Sequence, residues 1–513
     1  MLTQTDIINA RVSAVGRMNE SDIIRYILEE DGNSEQKKNM AAGARYYVSE
    51  HDTLAKQYDS AVVEETDETD GTEKTVRRNF QNPNRSNHHN VNPFHRVLVD
   101  QKTAYLVGRE PTVSVDNARG NAENQSYEEL LSELTDETFN ETLQEWVCGA
   151  SNKGFEVLHF YYDDMGELRY CIVPAEECIP IYDSRFQREL VELIRYYTIT
   201  VIRNGEKRLQ RKVEWWTKDR VTYYVEQDKD VFIPDPDYPV NPAPHWWDIN
   251  LRNGMEKKRT PHAWGRVPFI ILQNNWEMTT DLQPIKGLID AYDMISSEGT
   301  NTLLDLVDLY WVIQGYGGET SAAIARKLQI NKAVSISDSS GKVEANQVEL
   351  SLQGRIDYLK MLRRDIYHFG MGIDLDNDTF GTAPSGVSLQ FHYAGLDHKA
   401  GNMAPKLKRA IQTFFWFITD DYNRKNGTAF DSTRIRVTLN YSKIANDTET
   451  VQIITQSQGL VSDKTLLEHH PLVTDVNEEI KQLKREEKER EQRFDAYQNT
   501  FSAQREQAGG EDA

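Results

Sequence analysis

The apolar positions of this chain keep two rhythms. Between residues 154 and 233 they fall in short alternating runs, at 155–162, 168–173, 178–182, 193–203, 212–217 and 222–226. The runs are aromatic and β-branched, with tight turns at 164–166 and at Asn204-Gly205. That pattern predicts an antiparallel β region. On either side the step is three or four residues, the spacing of an amphipathic helix. Ile23, Ile24, Tyr26 and Ile27 form one such face, and the opening as far as about residue 63 reads as helical. Residues 91–107 form a helix that stops at Gly108, and 127–146 holds one or two more. In 282–312 the apolar face is Ile285, Leu288, Ile289, Tyr292 and Ile295, while Asp290, Asp293, Glu298, Asp305 and Asp308 occupy the polar face against Lys286.

Further strands are expected at 111–115, 267–272, 332–337, 343–349 and 435–440. Residues 235–266, rich in Pro and Trp, read as a long surface loop. The acidic run 64–73 reads as the exposed tip of a hairpin or loop. The end of the chain is helical at 449–457, 464–468 and 478–498. The last of these is mostly Glu, Lys, Arg and Gln, a solvated helix that could also pair with copies of itself. The fold class is α+β.

The stretch 351–426 organises the rest. A charged helix, 351–368, runs into the loop 370–386, and a long helix, 387–422, comes next with no strand between. Four glycines and Pro384 make the loop incompatible with helix, and Ser385 is placed to cap the long helix. Met403, Leu407, Ile411, Phe414 and Ile418 stripe that helix, which Gly395, Gly401 and Pro405 predict to be kinked. Helices 282–312 and 351–368 enclose a small α/β segment, which makes an antiparallel pair with a domain at its far end.

Composition narrows the function. At 513 residues the chain exceeds one core, and about two to four domains are expected. A net charge of −22 opposes any protein that grips nucleic acid through its phosphates. Cys148, Cys171 and Cys178 are an odd set without a close pair, so neither a disulfide framework nor a zinc site is expected. The N-terminus lacks the build of a signal peptide. The longest apolar runs fall far short of the roughly 20 residues of a membrane span. The expectation is a soluble protein, cytoplasmic at synthesis.

Each motif that suggests chemistry fails on particular residues. Asp374, Asp376 and Asp378 alternate like the start of a calcium loop, but Thr379 and Ser385 stand where glycine and a bidentate acid are required. A two-metal nuclease draws its acids from rigid, separated elements rather than one loop. Gly370-x-Gly372 lacks the third glycine of a dinucleotide fingerprint, and there is no Walker A sequence. His88-His89 and His469-His470 are adjacent pairs whose side chains point apart. Ser385 lies in no nucleophile elbow. No catalytic residue, metal or cofactor is expected.

Taken together, these stretches give a chain that resembles the phage portal proteins, the head-to-tail connector rings of tailed bacteriophages, and among them the siphophage type. Tyr46-Tyr47-Val48-Ser49-Glu50-His51-Asp52 is similar to a family segment in which glycine is usual where Ser49 stands. Val99, Lys102, Tyr105, Leu106 and Gly108, then Pro111-Thr112-Val113, resemble a helix-to-strand block. Val267-Pro268-Phe269 through Asn274-Asn275 resembles the strand that enters the stem. Pro384-Ser385-Gly386-Val387, Leu389, Leu396, Lys399-Ala400 and the aromatic run 414–417 resemble the tunnel loop and long wing helix. The order and spacing of these stretches, from 20 to 480, carry the likeness.

The resemblance implies a division of the chain. Residues 1–281 would be a wing, 282–312 and 351–371 the two stem helices, and 313–350 the clip. Residues 372–386 would be the tunnel loop, 387–446 the long kinked wing helix and a strand, 447–505 a helical crown, and 506–513 a disordered tail. It implies a ring of twelve subunits at one capsid vertex of the virion, through which double-stranded DNA is packaged and ejected without sequence specificity. The implied partners are the terminase large subunit, a head-completion adaptor, and scaffolding and major capsid proteins; no membrane is involved. The DNA-facing residues would be Asp374, Asp376, Asn377, Asp378, Thr379 and Phe380 of the loop. The stem acids Asp290, Asp293, Glu298, Asp305 and Asp308 would line the channel. Another structural head or neck protein is the alternative, and a metal-dependent DNA-processing enzyme of a phage is the more distant one.

Overall fold

A computed structural model describes residues 2–3, 19–55, 60–69, 72–81, 86–116, 122–184, 189–203, 205–252, 255–305, 310–314, 342–346, 352–374, 386–442, 447–468 and parts of 470–490. In chain order, β1 (Leu2–Thr3) precedes α1 (Glu20–Asn33) and α2 (Glu35–Tyr47). Ser34 separates the two helices and serves both. Its hydroxyl donates to the Asp31 carbonyl at 2.7 Å and accepts from the Lys37 N–H at 3.1 Å, which ends one helix and caps the next. Then come the hairpin strands β2 (Ser60–Thr69) and β3 (Thr72–Gln81), α3 (Phe94–Val107), β4 (Thr112–Val115), α4 (Ala122–Leu134) and α5 (Glu137–Lys153).

The β region continues as β5 (Phe155–Tyr162), β6 (Leu168–Val173), β7 (Cys178–Tyr182), β8 (Leu190–Arg203), β9 (Glu206–Trp216), β10 (Arg220–Asp228), β11 (Val231–Pro234), β12 (Ala243–Pro244), β13 (Trp246–Arg252), β14 (Met255–His262) and β15 (Phe269–Gln273). Next are α6 (Lys286–Asp305), β16 (Tyr310–Gln314), β17 (Lys342–Asn346), α7 (Leu352–Phe369), α8 (Gly386–Asn426), β18 (Ile435–Thr438), α9 (Asp447–Ser457) and α10 (Asp463–Glu468). The mixture of helices and largely antiparallel sheets is α+β.

Two compact units divide the chain: 1–374 with 395–442, and 375–394 with 443–513. In the first, the main sheet runs β1-β7-β8-β9-β10-β11, with β12 also on β10, and a second sheet runs β15-β5-β6. Alternation along the strands sends one set of side chains to each face. On one face of the main sheet, Ile179, Ile181, Ile194, Val213, Trp215 and Tyr224 take Ile23, Ile24 and Ile27 of α1. On the other, Leu193, Trp216 and Val221 pack with Phe155, Val157, Val173 and Phe269 of the smaller sheet. The far side of β5 meets α8, where Phe160 stacks on Phe417 at 4.6 Å and lies 5.3 Å from Phe414. A third core, Tyr46, Phe94, Leu98, Leu282, Ile285, Ile289 and Ile366, joins α2 and α3 to the pair α6 and α7. That pair is antiparallel: Arg355, near the start of α7, bonds Thr302 near the end of α6.

Three expectations are corrected. The helical opening stops at Tyr47; 52–55 is a short 3-10 turn, and the run at 61–63 belongs to β2, whose pairing with β3 puts 64–69 and 72–73 of the acidic run in a two-stranded hairpin, as one of the two readings of that run had it. Residues 235–266 are no surface loop throughout, because Trp246↔His262 to Arg252↔Met255 form a second hairpin; its sequence neighbours are prolines, which hid the pairing. Helix 282–312 ends at Asp305. Trp311, Val312 and Ile313, all strand-prone, form β16 on β17 instead, and the expected strand at 332–337 lies outside the described residues.

α8 runs as one helix with Pro405 inside it. Met403, Leu407, Ile411 and Phe414 are buried as the stripe predicts, joined by Phe415 and Phe417, while Ile418 is half-buried. In the second unit α9 and α10 are largely exposed, and the described residues between 476 and 490 are helical. Among the described residues no helix is long and apolar enough to cross a membrane.

Candidate functional site

The segment 46–52 and the extended stretch 88–92 fasten α6 along its length. The Tyr46 hydroxyl donates to Asp290 and accepts from the Asp52 N–H at 3.2 Å. Lys286 lies 2.8 Å from Asp290 and 2.7 Å from Asp52. Burial, and then the Asp290 carboxylate, push the Tyr46 phenol up to about 12. One turn on, Asp293 is fully buried and takes three donors: His51 Nδ1 at 2.5 Å, and the Asn92 N–H and side-chain amide at 3.0 and 2.9 Å. Another turn on, the Asn90 amide bonds Ser296 and Thr300, and His88 exchanges two bonds with Asn301. These bonds recur at the helical repeat, so α6 is held at every turn from 286 to 301.

This divides the acids expected on one solvated polar face. Asp293 faces the protein, where three donors make a buried carboxylate tolerable. Asp290 is half-buried and committed to Tyr46 and Lys286. Glu298 is exposed. The Asp305 side chain and Asp308 lie outside the described residues.

A second node lies where α7 gives way to the loop. Lys102 of α3 is 1% exposed; its ammonium donates to Asn274 and stands 3.3 Å from Asp281. Lys399 of α8 approaches the same carboxylate at 3.2 Å and donates to the Gly370 carbonyl at 2.9 Å. The Asn274 amide bonds Asp281 at 2.9 Å, and the Asp281 N–H bonds the Ser151 carbonyl of α5 at 3.0 Å. Burial pulls the Lys102 ammonium down to about 8. Burial pushes the Asp281 carboxyl up, but the two lysines outweigh it and hold it below the usual range. Two cations on one buried acid leave the node with a net positive charge.

The root of the loop is pinned beside this node. Gln101 donates to the Ile373 carbonyl at 2.8 Å and accepts its N–H at 3.0 Å. Arg363 forks onto Asp374 at 2.7 and 3.0 Å. Gly372 lies so close to Leu98 that a Cβ would overlap its methyl group, and a Cβ on Gly370 would stand 2.6 Å from Leu98. Beyond the loop, Asp397 accepts from Tyr105. Helix α3 therefore holds the chain on both sides of 375–385.

Of the expected loop residues, the structure places Asp374 in this clamp; Asp376, Asn377, Asp378, Thr379 and Phe380 lie outside the described residues. Sequence reasoning missed Arg363, Gln101, Asn90 and Asp281. The available signal was a lysine, Lys102, between Val99 and Leu106 on an apolar helix face. Such a charge needs a buried partner. Among the described residues no group of His, Cys, Asp and Glu is arranged to hold a metal.

The residues that gather here, Tyr46, His51, Lys102, Asn274 and Lys399, are those that carried the family resemblance, and comparisons with known proteins agree. The family described as "Phage portal protein, SPP1 Gp6-like" matches residues 28–493. The portal protein of Bacillus phage SPP1, a siphophage, is 32% identical over 452 residues, covering 86% of this chain and 82% of the relative. The portal protein of Clostridium phage phiCD119 is 28% identical over 489 residues, covering 91% and 96%. The family is a structural, non-enzymatic component of the phage head. The chain belongs to the SPP1 Gp6-like family of phage portal proteins.

Proposed function

We propose that copies of this chain close a ring, twelve in the virion, at one vertex of the capsid, and that double-stranded DNA passes through its channel during packaging and ejection. In this reading α6 and α7 belong to the stem, residues 313–350 to the clip, and 372–386 to the tunnel loop. Residues 1–281 and 387–446 form the wing and 447–505 the crown. The ring is the docking platform for terminase, head-completion adaptor, scaffolding and coat proteins.

One observation carries the reading: the root of the acidic loop is pinned by Gln101, Arg363 and Lys399 at the point where the loop leaves α7. Such a frame supports a loop that shifts against passing DNA while the helix pair stays in place. Asp374, paired with Arg363, belongs to the frame; Asp376, Asn377, Asp378, Thr379 and Phe380 are the residues that meet DNA. Their acids, with Glu298, Asp305 and Asp308 on the stem, keep phosphate from sticking. Asp290 and Asp293 hold α6 and take no part in lining the channel.

Negative-stain electron microscopy with mass photometry tests the ring: about a dozen subunits around a central hole are expected, and a stable dimer or tetramer without a hole would refute it. Changing Asp376 and Asp378 together to Lys should leave rings intact and lower packaged DNA per head by tenfold or more. Unchanged packaging would remove the loop acids from the mechanism.

A further inference from the structure

The β8–β9 ribbon outruns the sheet that carries it. β7 pairs with β8 only as far as Cys178↔Arg195, and β10 pairs with β9 only from Val225↔Lys212. From Thr198↔Arg211 to Arg203↔Glu206, six cross-strand pairs continue with no further strand on either edge among the described residues. At about 3.3 Å per residue, that is a two-stranded arm of roughly 20 Å. Side chains hold its root: Gln210 bonds the Glu226 carbonyl and Arg211 forks onto Glu226. The face that lays Ile194, Val213 and Trp215 under α1 continues into the arm. There it carries Ile202, 71% exposed, and Leu209, 76% exposed.

Three features of the arm require a partner. A lone two-stranded ribbon is marginal in water. Its open edges invite pairing. Its apolar tip is left wet beyond α1, which ends its cover near Tyr196, whose hydroxyl bonds Asp31. The charge says which partner. Lys207 stands across from Ile202 on this face, and on the other Arg208 lies 3.4 Å from Glu206, in a chain whose net charge is −22. A second copy of this chain therefore offers an acidic surface to a basic arm. Identical chains in a ring meet through two different surfaces, one of which the arm would supply. Phosphate would match the charge, but it has no use for two exposed aliphatic side chains.

We propose that the β8–β9 arm, through Ile202, Leu209, Lys207 and Arg208, grips the adjacent copy of this chain in the assembled ring. The inference rests on the ring reading above. The test compares full-length wild type with the double variant Ile202→Asp, Leu209→Asp and with the charge reversal Lys207→Glu, Arg208→Glu. Mass photometry reads the assembly and circular dichroism the fold. Both variants should keep the wild-type spectrum, and the concentration needed for half-assembly should rise at least tenfold. Should the aspartate pair unfold the subunit, the charge reversal, on exposed positions, still decides. Rings formed by both variants at the wild-type concentration would overturn the proposal. Intact rings that lose DNA retention or coat assembly would do the same, by assigning the arm to DNA or to the coat protein. Wild-type chain that never assembles would overturn the ring reading and this inference together.

Discussion

Ser49 holds a left-handed backbone, φ 67°, just past the end of α2, the position where glycine usually ends a helix. A side chain there costs about 1–2 kcal/mol, while glycine gives back roughly 0.5–1 kcal/mol in lost unfolded-state entropy. Ser49→Gly should therefore stabilise the subunit by up to about 1 kcal/mol in urea melts; a loss of stability would refute the strain. Two buried histidines contribute to acid sensitivity. Burial pulls His95 down to about 4 and His159 to about 3, the one bonded to Asn152 and the other to the Pro268 carbonyl. Below pH 6.5 the unfolded chain takes up protons that the folded chain refuses. Stability therefore falls as pH drops, by roughly 2 kcal/mol for each histidine at pH 5. Urea melts at pH 7.5 and pH 5 should show that loss in wild type and a smaller one in His159→Phe. Equal losses in both would exclude His159 as a source.

At the scale of elements, the β region and the helix faces were legible because alternation and the three-four step survive in the sequence. The hairpin at 246–262 was not, since prolines and tryptophans mask its period. Nor was the end of α6, since Leu306, Val307 and Leu309 prolong the apolar rhythm of the sequence past Asp305. The nodes were legible only as isolated letters. Lys102, Asp281 and Lys399 lie in three distant stretches, and their pairing exists only once α3, α8 and the segment before α6 converge. Their energetics take a definite order. Asp281→Ala strands two buried ammoniums and should cost about 3–5 kcal/mol. Lys102→Met leaves Asp281 with Lys399, removes the excess charge, and should cost no more than about 2 kcal/mol. Denaturant melts of the two variants check this, and the reverse order would mean that Lys102 is the principal partner of the acid.

Across the whole chain, 81 acidic against 59 basic residues make an average surface that repels polyanions, as the proposed passage of DNA requires. The described structure spends its buried charge on holding helices: Asp293 on His51 and Asn92, Asp281 on two lysines. The clamp at 370–374, with Asp397 and Lys399 fixed beyond the loop, has a consequence for the length of chain between its anchors. Closing a loop between anchored ends becomes costlier only slowly with length, about 0.6 kcal/mol for each doubling. Adding or removing a few residues between Asp374 and Gly386 should therefore change stability in urea melts by only a few tenths of a kcal/mol, with the Gln101, Arg363 and Lys399 contacts kept.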